Sequence, residues 1–258
     1  MNRALKSTLD RLGLLAPLRR LRYGGQPPDW VTTLETETKF YRQFVPPGSL
    51  CFDVGANIGN KADCFLALGA RVVCVEPVPG ARDVLRTKFA GVPAVTIVPK
   101  AVGAEEGTAE MQVGDNTTTS TLSPIWKDRI AATDRMAGRT WPQSITVPVT
   151  TLDALIAEFG TPDFCKIDVE GFEAEVVRGL STPIPALCFE FHPAGLDVAF
   201  DVVDQLKALD AYVFNFSFVS PLKLESPTWV DVAGIKRLLE QVRSRSTETY
   251  GDVYARRP

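Results

Sequence analysis

The sequence predicts an α/β fold in which helices cover a mostly parallel sheet. From residue 50 onward, short runs rich in β-branched and aromatic residues alternate with runs of helical periodicity. This alternation is typical of parallel strands joined by crossover helices. The chain has 258 residues, of which 45% are hydrophobic, and this is enough for one sizeable core. We therefore expect a single α/β domain over residues 46–258 and a helical extension over residues 1–45.

The extension contains a basic amphipathic segment, residues 4–21, whose leucines recur at helical spacing. A helix packed on the body of the protein is the favoured interpretation, and a partner-binding or membrane-surface helix and a disordered segment are the alternatives. The segment lacks the continuous apolar run of a secretory signal, and no stretch approaches the roughly 20 apolar residues of a transmembrane helix. A second helix is expected near Leu34–Phe44, after a break at Gly24–Pro28.

In the first half of the domain, three strands are expected where β-rich runs are followed closely by glycine or proline. They are Leu50–Val54, Arg71–Val75 and Ala94–Val98. The helices between them are Asn60–Leu68, which Gly69 ends, and Gly80–Phe89. Residues 115–145 then break the pattern, because they are rich in Thr, Ser and Pro. We expect an insertion over the top of the sheet, for which a lid and an ordinary loop are both open interpretations.

The alternation of strands and helices returns after residue 150. Short β-rich runs define the strands, and apolar residues at helical spacing define the helices. The expected strands are Phe164–Val169, Ala186–Phe191, Tyr212–Phe218 and Asp252–Ala255, which brings the total to seven. The expected helices are Leu152–Phe159, Glu173–Leu180, Gly195–Leu209 and Val230–Arg243.

The strongest local motif is FDVGANIGN, Phe52–Asn60, which runs from a strand through two glycines into a helix. Gly55 and Gly59 let the backbone turn sharply and approach a ligand without a Cβ in the way. Their G-x-x-x-G spacing differs from the G-x-G-x-x-G of dinucleotide binders, because larger residues stand where a pyrophosphate needs glycine. Asp53 adds a carboxylate, which suits a cationic amino-acid ligand better than a diphosphate.

The second strand ends in Val75-Glu76-Pro77, which places a carboxylate beyond its carboxyl end. Nucleoside ligands bind there in open α/β sheets. Glu76 is therefore expected to accept hydrogen bonds from both hydroxyls of a ribose. An NAD site carries an acidic residue at a similar separation from its first glycine, so Glu76 indicates a nucleoside without choosing the cofactor.

A second group of polar residues follows two later strands. Alternate residues of an extended strand share a face, so Lys166, Asp168 and Glu170 are expected to line up. Glu190 and His192 are expected to do the same on the next strand. Buried parallel strands are usually apolar, and polar side chains there cost free energy unless they are paired or used. The convergence of these residues therefore predicts a functional site.

Charge and cysteine content indicate which kind of partner and which cellular compartment to expect. The chain has 28 basic and 31 acidic side chains, which argues against nucleic acid as the main partner and favours a small or neutral substrate. The five cysteines form no CxxC pair and lie mostly in apolar runs. Buried free thiols in a reducing cytoplasm are the preferred interpretation.

Together these motifs resemble the FkbM family of methyltransferases. The resemblance rests on FDVGANIGN, VCVEP (Val73–Pro77), TLD (Thr151–Asp153), KIDVEGFE (Lys166–Glu173) and EFH (Glu190–His192), in matching order over roughly residues 50–195. It implies a Rossmann-like, seven-stranded, mostly parallel sheet with helices on both faces and one antiparallel strand near an edge, the class I methyltransferase fold. It also implies S-adenosylmethionine as donor and methylation of a hydroxyl on a small molecule, sugar or natural product.

The resemblance assigns cofactor contacts to particular residues of this sequence. The implied contacts are Asp53, Gly55, Asn57 and Gly59 around the methionine, Glu76 at the ribose, Ala101 and Val102 near the adenine, and Asp168 near the amino group and the transferred methyl. Transfer to an alcohol also needs alignment of the reacting atoms, and a base near the hydroxyl helps.

The candidate catalytic residues are His192, Glu170, Asp168 and Glu190. His192 is the only histidine in the chain, and Glu190 beside it could fix its tautomer, so His192 is the first candidate for the base and Glu170 the second. A divalent metal held by these side chains would also lower the pKa of an acceptor hydroxyl. We do not favour that mechanism and assign no metal ligands.

Three further alternatives stay open. The carboxylates could simply pair with Lys166 or Arg178 and support the site indirectly. A nicotinamide-dependent oxidoreductase could use the same sheet, although the glycine spacing is wrong for it and no catalytic Tyr-x-x-x-Lys is present. The chain could also be a paralogue that binds the cofactor without turnover.

Overall fold

The computed structural model of the protein describes residues 30–115, 119–133, 138–246 and 248–258. The basic helix expected at residues 4–21 lies outside the described residues. None of the described helices is long and apolar enough to cross a bilayer.

The strands are β1 (Leu50–Val54), β2 (Arg71–Val75), β3 (Val95–Val98), β4 (Ala101–Val102), β5 (Gly107–Val113), β6 (Gln143–Thr150), β7 (Phe164–Ile167), β8 (Ala186–Phe191), β9 (Val213–Phe218) and β10 (Gly251–Arg256). The helices are α1 (Trp30–Tyr41), α2 (Asn60–Ala67), α3 (Pro79–Lys88), α4 (Pro124–Ala131), α5 (Leu152–Phe159), α6 (Glu173–Arg178), α7 (Leu196–Leu209) and α8 (Val232–Arg245).

A seven-stranded sheet in the order β3-β2-β1-β7-β8-β10-β9 forms the centre of the domain. Strands β3, β2, β1, β7 and β8 pair in parallel, whereas β10 runs antiparallel to both of its neighbours, β8 and β9. The predicted α/β fold, its seven strands and the single antiparallel strand next to an edge are thereby confirmed.

Two apolar layers cover the faces of this sheet. Phe52 and Val54 of β1 face one layer and Cys51 faces the other, and every residue of β1 is buried. Fully burying one large apolar side chain contributes about 1.5–3 kcal/mol, so these layers hold the parallel strands in place. All five cysteines are free and buried, which confirms that part of the prediction made for them.

Helix α1 is part of the domain core. Tyr41 is fully buried, and Phe44, just after the helix, stacks on Phe164 of β7 and on Tyr254 of β10. Aromatic pairs of this kind contribute about 0.5–1.5 kcal/mol beyond the area that they bury. The helix expected near Leu34–Phe44 is present, and residues 34–45 of the predicted extension pack directly against the sheet domain.

A second, three-stranded sheet in the order β4-β6-β5 was not predicted. Strands β5 and β6 pair antiparallel over their full length and expose most of one face. Their polar outward residues explain why no strands were predicted here, because half-exposed strands lack the apolar runs that marked the other strands. Residues 115–145 thus belong mainly to the connection between β5 and β6, and this connection carries helix α4, which Ser123 caps by accepting a hydrogen bond from Trp126 N at 3.1 Å.

Candidate active site

A cavity of about 430 Å³ opens at the carboxyl ends of the parallel strands. Most of the sequence-predicted site residues line it. Those residues are Asp53, Gly55, Asn57, Glu76, Ala101, Val102, Asp168, Glu170 and Glu190. Gly59 and His192 are not among the lining residues. Parallel strands bring their carboxyl ends to one edge of the sheet, and a crevice forms there in open α/β folds.

Residues 55–59, the glycine turn, follow β1 directly. Gly55 has φ +78°, and a Cβ on it would lie 1.8 Å from the carbonyl oxygen of Asp168. Gly59 has the same φ, and its Cβ would lie 2.6 Å from the ring of Phe89. The close approaches that require glycine at these two positions are contacts within the protein, and the cofactor contacts assigned to Gly55 and Gly59 stay predictions.

Glu76 holds the glycine turn against the end of β2. It is 5% exposed, and its two carboxylate oxygens accept hydrogen bonds from Asn57 N and Val78 N, each at 2.8 Å. Burial raises the pKa of Glu76 to about 7, although these two hydrogen bonds oppose the change. Each carboxylate oxygen can accept a second hydrogen bond, so Glu76 can also bind ligand hydroxyls.

Asp53, the last but one residue of β1, presents a buried carboxylate to the cavity. It is 2% exposed, and its Oδ2 accepts no hydrogen bond from the described residues. Burial raises the pKa of Asp53 to about 6, against the opposing effect of the Lys166 ammonium. A buried acceptor without a partner costs free energy, and a cationic ligand group would satisfy it.

Lys166 of β7 is 3% exposed and joins two strands through ion pairs. Its Nζ lies 3.0 Å from Asp168 Oδ2 and 3.3 Å from Asp252 Oδ1 on β10. Burial alone would lower the pKa of Lys166, but these two carboxylates outweigh it and raise that pKa well above its ordinary value. The sequence alternative in which a carboxylate pairs with Lys166 is thus present for Asp168, whereas Arg178 pairs with Glu175.

Residues 168–171, the acidic turn, follow β7. Strand β7 ends at Ile167 and not at Val169 as predicted, and Glu170 has φ +54°. Lys166, Asp168 and Glu170 therefore do not form one strand face. The carboxylates of Asp168, Glu170 and Glu190, here called the carboxylate triad, nevertheless lie within 4.8 Å of one another. Oxygen ligands at this separation could hold a divalent cation.

Glu173 braces the acidic turn in the same way that Glu76 braces the glycine turn. It is 2% exposed, and its Oε1 accepts hydrogen bonds from Val169 N at 3.1 Å and Gly171 N at 3.2 Å. Burial raises the pKa of Glu173 to about 7. Glu173 ends the KIDVEGFE motif, but no role was predicted for it. The available signal was an acidic residue two positions after a glycine, which matches a carboxylate that caps a turn.

Trp126 of α4 packs over the acidic turn. A Cβ on Gly171 or on Gly195 would lie 2.2 Å or 2.4 Å from its indole ring, so both glycines leave room for that ring. Its Nε1 donates to Glu170 Oε2 at 3.4 Å, and Thr121 Oγ1 donates to the Glu170 carbonyl at 2.6 Å. The connection that carries α4 therefore positions Glu170 from above.

His192 does not share the cavity with Glu190, which corrects the prediction that the two side chains face one site. It is 1% exposed, because β8 ends at Phe191 and His192 then caps a short 3-10 helix by accepting from Ala194 N at 3.1 Å. Its ring stacks on Tyr250, with ring centroids 6.2 Å apart. The role of His192 as base stays a prediction, and the geometry favours Glu170.

The TLD motif has a structural role in this chain. The Thr151 hydroxyl caps α5 by accepting from Ala154 N at 3.0 Å. The Asp153 carboxylate accepts from Ser181 N at 2.8 Å. Neither residue is among the cavity-lining residues, so the motif fixes the layer beneath the site.

Lys88 of α3 is a second anchor of the glycine turn that sequence reasoning missed. Its Nζ donates to the carbonyl oxygens of Ile58 and Gly59, each at 3.0 Å, and lies 2.6 Å from Asp63 Oδ2. The side chains of Lys88 and Asp63 are 5% and 8% exposed. Nothing in the sequence around Lys88 indicates this role, because its partners are backbone carbonyls of a turn that is distant from it in the sequence.

Lys88→Met is expected to destabilise the folded protein by about 3–5 kcal/mol, because the variant leaves the Asp63 carboxylate buried without its cation. Urea denaturation measures this free energy of unfolding. Lys236→Met is the matched control, since Lys236 pairs with Asp204 at 2.7 Å but the pair is 29% and 57% exposed. The control should cost at most about 1 kcal/mol. Equal losses in the two variants would contradict the anchoring role of Lys88.

The fold and the site together define the class of protein. A seven-stranded sheet with one antiparallel strand next to its edge, a glycine turn after β1 and a buried carboxylate after β2 are the features of a class I methyltransferase. The chain belongs to the FkbM methyltransferase family, since the model of the Methyltransferase FkbM domain matches residues 53–216, well over half of the chain. The resemblance seen in the sequence is thereby confirmed.

Individual known proteins are also similar to this chain. Hexuronic acid methyltransferase AglP of Haloferax volcanii is 29% identical over 151 residues, which are 57% of this chain and 56% of that protein. The chain thus matches just over half the length of that relative. A precorrin-6y C5,15-methyltransferase structure from Geobacter metallireducens aligns over 88% of each chain with 12% identity and a TM-score of 0.45. Aeropyrum pernix fibrillarin, in complex with natively bound S-adenosyl-L-methionine, aligns over 86% of this chain and 75% of its own with 10% identity and a TM-score of 0.44.

Proposed function

We propose that this chain transfers a methyl group from S-adenosylmethionine to a hydroxyl oxygen of a small-molecule, sugar or natural-product acceptor. The observation that carries the proposal is a single cavity lined by Asp53 and Glu76 on one side and by the carboxylate triad on the other. Its volume of about 430 Å³ lies in the range of small-molecule sites. The cofactor supplies a methyl group on a positively charged sulfur, which leaves with the bonding electron pair.

The residues on the glycine side of the cavity fit this cofactor. The unsatisfied Oδ2 of Asp53 is a buried acceptor suited to an ammonium group. The Glu76 carboxylate is positioned by two backbone amides and retains acceptor capacity for two ribose hydroxyls. Ala101 and Val102 are buried and line the same cavity, as an apolar purine would require. Stabilisation by S-adenosylhomocysteine but not by NAD in a thermal-shift assay would separate this class from the oxidoreductase alternative.

On the acceptor side, we assign Glu170 as the general base. Asp168 lies in an ion pair with Lys166, and His192 does not line the cavity. Trp126 and Thr121 orient Glu170 through its side chain and its backbone carbonyl. In the proposed reaction a Glu170 carboxylate oxygen accepts the hydroxyl proton while the acceptor oxygen forms its bond to the methyl carbon. Glu190 would hold the acceptor by accepting hydrogen bonds from neighbouring hydroxyls.

Glu170→Gln is expected to lower kcat by about 10²–10⁴-fold, because the amide cannot accept the hydroxyl proton. Formation of S-adenosylhomocysteine over a panel of glycosides and hydroxylated natural products measures turnover, and calorimetry with S-adenosylhomocysteine should show nearly unchanged affinity. His192→Ala is the control, which should lower thermal stability more than kcat, since the ring caps a turn. Full turnover in Glu170→Gln together with lost turnover in a folded His192→Ala would assign the base to His192 instead.

The acceptor is proposed as a small molecule or sugar and not as nucleic acid. The nearly balanced charge of the chain supports this, because proteins that bind nucleic acid usually carry a basic surface. The relative AglP is a hexuronic acid methyltransferase, and a sugar-acid acceptor in that protein supports the same proposal here. Including an RNA oligonucleotide in the acceptor panel tests the point, and methylation of the RNA alone would contradict it.

One observation favours a metal-assisted mechanism, namely the proximity of the three triad carboxylates. The Lys166 ammonium, 3.0 Å from Asp168, weighs against it, because its charge repels a divalent cation. Turnover is therefore expected to survive EDTA in the assay described above. If EDTA abolished turnover and Mg²⁺ restored it, the result would support activation of the acceptor by a metal ion instead of proton abstraction by Glu170. Tight S-adenosylhomocysteine binding without turnover on any acceptor would instead support a non-catalytic paralogue.

A further inference from the structure

We infer that Lys61 binds the α-carboxylate of S-adenosylmethionine and that Glu37 of helix α1 holds Lys61 in place for this task. The inference rests on the proposed cofactor. It adds a role for helix α1, which precedes the family-matched segment that begins at residue 53. It also assigns the two charged groups of the cofactor's amino acid to different residues, since Asp53 suits the ammonium and Lys61 suits the carboxylate.

Lys61 lies in the first turn of α2, directly after the glycine turn. It lines the same cavity as Asp53 and Asn57, and its side chain is 25% exposed. The methionine part of the cofactor is assigned to this side of the cavity. A cation in the first helical turn, beside the glycine turn, therefore lies at the position that a methionine carboxylate would reach.

Helix α1 fixes the Lys61 ammonium from the side opposite to α2. Nζ of Lys61 lies 2.6 Å from Glu37 Oε1 and 5.8 Å from the centroid of the Tyr41 ring. The other Glu37 oxygen, Oε2, accepts from Cys64 Sγ at 3.3 Å, which fixes the carboxylate in turn. An ammonium has three N–H donors, and Glu37 accepts from one, so donors remain for a ligand.

The charge of Lys61 is maintained by the same partner. Burial alone would lower its pKa, but the Glu37 carboxylate outweighs that effect and raises the pKa above the ordinary lysine value. Lys61 is therefore cationic at neutral pH. The N-terminus of α2 adds to the positive electrostatic potential around Lys61. Its N-cap residue is Gly59, which has no side chain to accept hydrogen bonds from the amides of the first turn.

Among the described residues, the other cations that line the cavity are less suited to this role. Lys166 is 3% exposed and already pairs with Asp168 and Asp252. Lys100 precedes Ala101, at the end of the cavity assigned to the adenine. Lys88 also contacts the glycine turn but does not line the cavity, so Lys61 is the cavity-lining cation beside this turn, where an amino-acid carboxylate needs one.

Two ligands that differ by one group test the inference by calorimetry. The probes are S-adenosylhomocysteine and its decarboxylated analogue, which keeps the adenosine, the sulfur and the amine. Lys61→Met is expected to weaken binding of S-adenosylhomocysteine by about 10- to 100-fold, the loss typical of a hydrogen bond between charged groups. Binding of the decarboxylated analogue should change by less than about threefold, because this probe has no carboxylate to lose.

Lys100→Met is the matched control, since it removes a lysine from the same cavity and should produce no carboxylate-specific loss. The double variant Glu37→Gln/Lys61→Met keeps the charge balanced and should reproduce the loss without leaving Glu37 unpaired. Equal weakening of both probes by Lys61→Met, or of neither, would overturn the inference. Failure of the unmodified protein to bind either probe would instead contradict the proposed cofactor, so the two failures are distinguishable.

Discussion

Gly55→Ala is expected to abolish cofactor binding and to destabilise the folded protein by about 3 kcal/mol or more. The added Cβ would lie 1.8 Å from the carbonyl oxygen of Asp168, a backbone atom that cannot rotate away. The residue also has φ +78°, which an L side chain adopts only with strain. Relief of the clash requires the ends of β1 and β7 to separate, and this would open the cavity between the glycine turn and the carboxylate triad.

The control for this variant is Gly48→Ala. Gly48 has φ +87°, but a Cβ on it would meet nothing within 4 Å. The two variants therefore share the conformational strain, which is about 1–2 kcal/mol, and differ in the steric clash. Chemical denaturation and calorimetry with S-adenosylhomocysteine should show a small stability loss and intact binding for Gly48→Ala. Comparable effects at both positions would mean that strain alone, and not the approach of Asp168, makes glycine necessary at residue 55.

Glu76→Ala is expected to weaken S-adenosylhomocysteine binding by at least about 100-fold. The change removes the acceptor of two backbone amides, Asn57 N and Val78 N, and each buried donor left without a partner costs about 1–3 kcal/mol. The glycine turn would lose its attachment to the end of β2, and the proposed ribose contacts would be lost with it. Calorimetry gives the affinity, and a thermal melt of the unliganded variant reports the structural part of the effect.

The pKa of about 7 at Glu76 also predicts the pH dependence of binding. Burial raises this pKa, so the carboxyl is largely protonated below neutral pH and ionised above it. The ionised form is the better acceptor for ribose hydroxyls, and ligand binding should therefore release a proton. Affinity is expected to rise with pH between about 6 and 7.5, by up to about tenfold per unit, and to level off above that. Glu76→Gln should remove most of this rise, leaving the contribution of Asp53 near pH 6.

Glu173→Gln is the comparison variant for Glu76. Glu173 is equally buried, has a pKa raised to about 7 and also accepts from two backbone amides, but it braces the acidic turn. Its loss should lower stability and turnover while changing S-adenosylhomocysteine affinity much less than Glu76→Ala does. Identical losses of cofactor affinity would indicate that Glu76 acts only by general stabilisation of the strand ends.

Much of the fold was accessible from local patterns. The seven central strands and most helices coincide with the predicted segments, because each depends on the residue types within a few positions of itself. Prediction was poorer where polar strands carry no such pattern, as in β5 and β6. It was also poorer at the acidic turn, where the positive φ of Glu170 ends an apparent strand face two residues early.

The residues of the candidate site were likewise predicted where a local pattern marks them and missed where their role depends on distant contacts. Glu76, Asp168, Glu170 and Glu190 were predicted because they lie at or just beyond the carboxyl ends of parallel strands, and these ends meet at one edge of the sheet. His192 was predicted to face the site because alternate residues of a strand share a face. In the structure it is buried instead, because β8 ends before it and its ring caps a turn. Lys88 and Glu173 were missed, because their partners are backbone groups whose positions no local pattern specifies.

The amino-acid sequence by itself determined the order of strands and helices, the family, and which carboxylates stand at the strand ends. Only the tertiary structure decided that Gly55 must be glycine because of Asp168, that Lys61 is held by Glu37 of α1, and that His192 is buried. The physical reason is that backbone conformation depends mainly on neighbouring residues, whereas contacts between distant segments depend on strand register and packing, which arise only when the whole chain is folded.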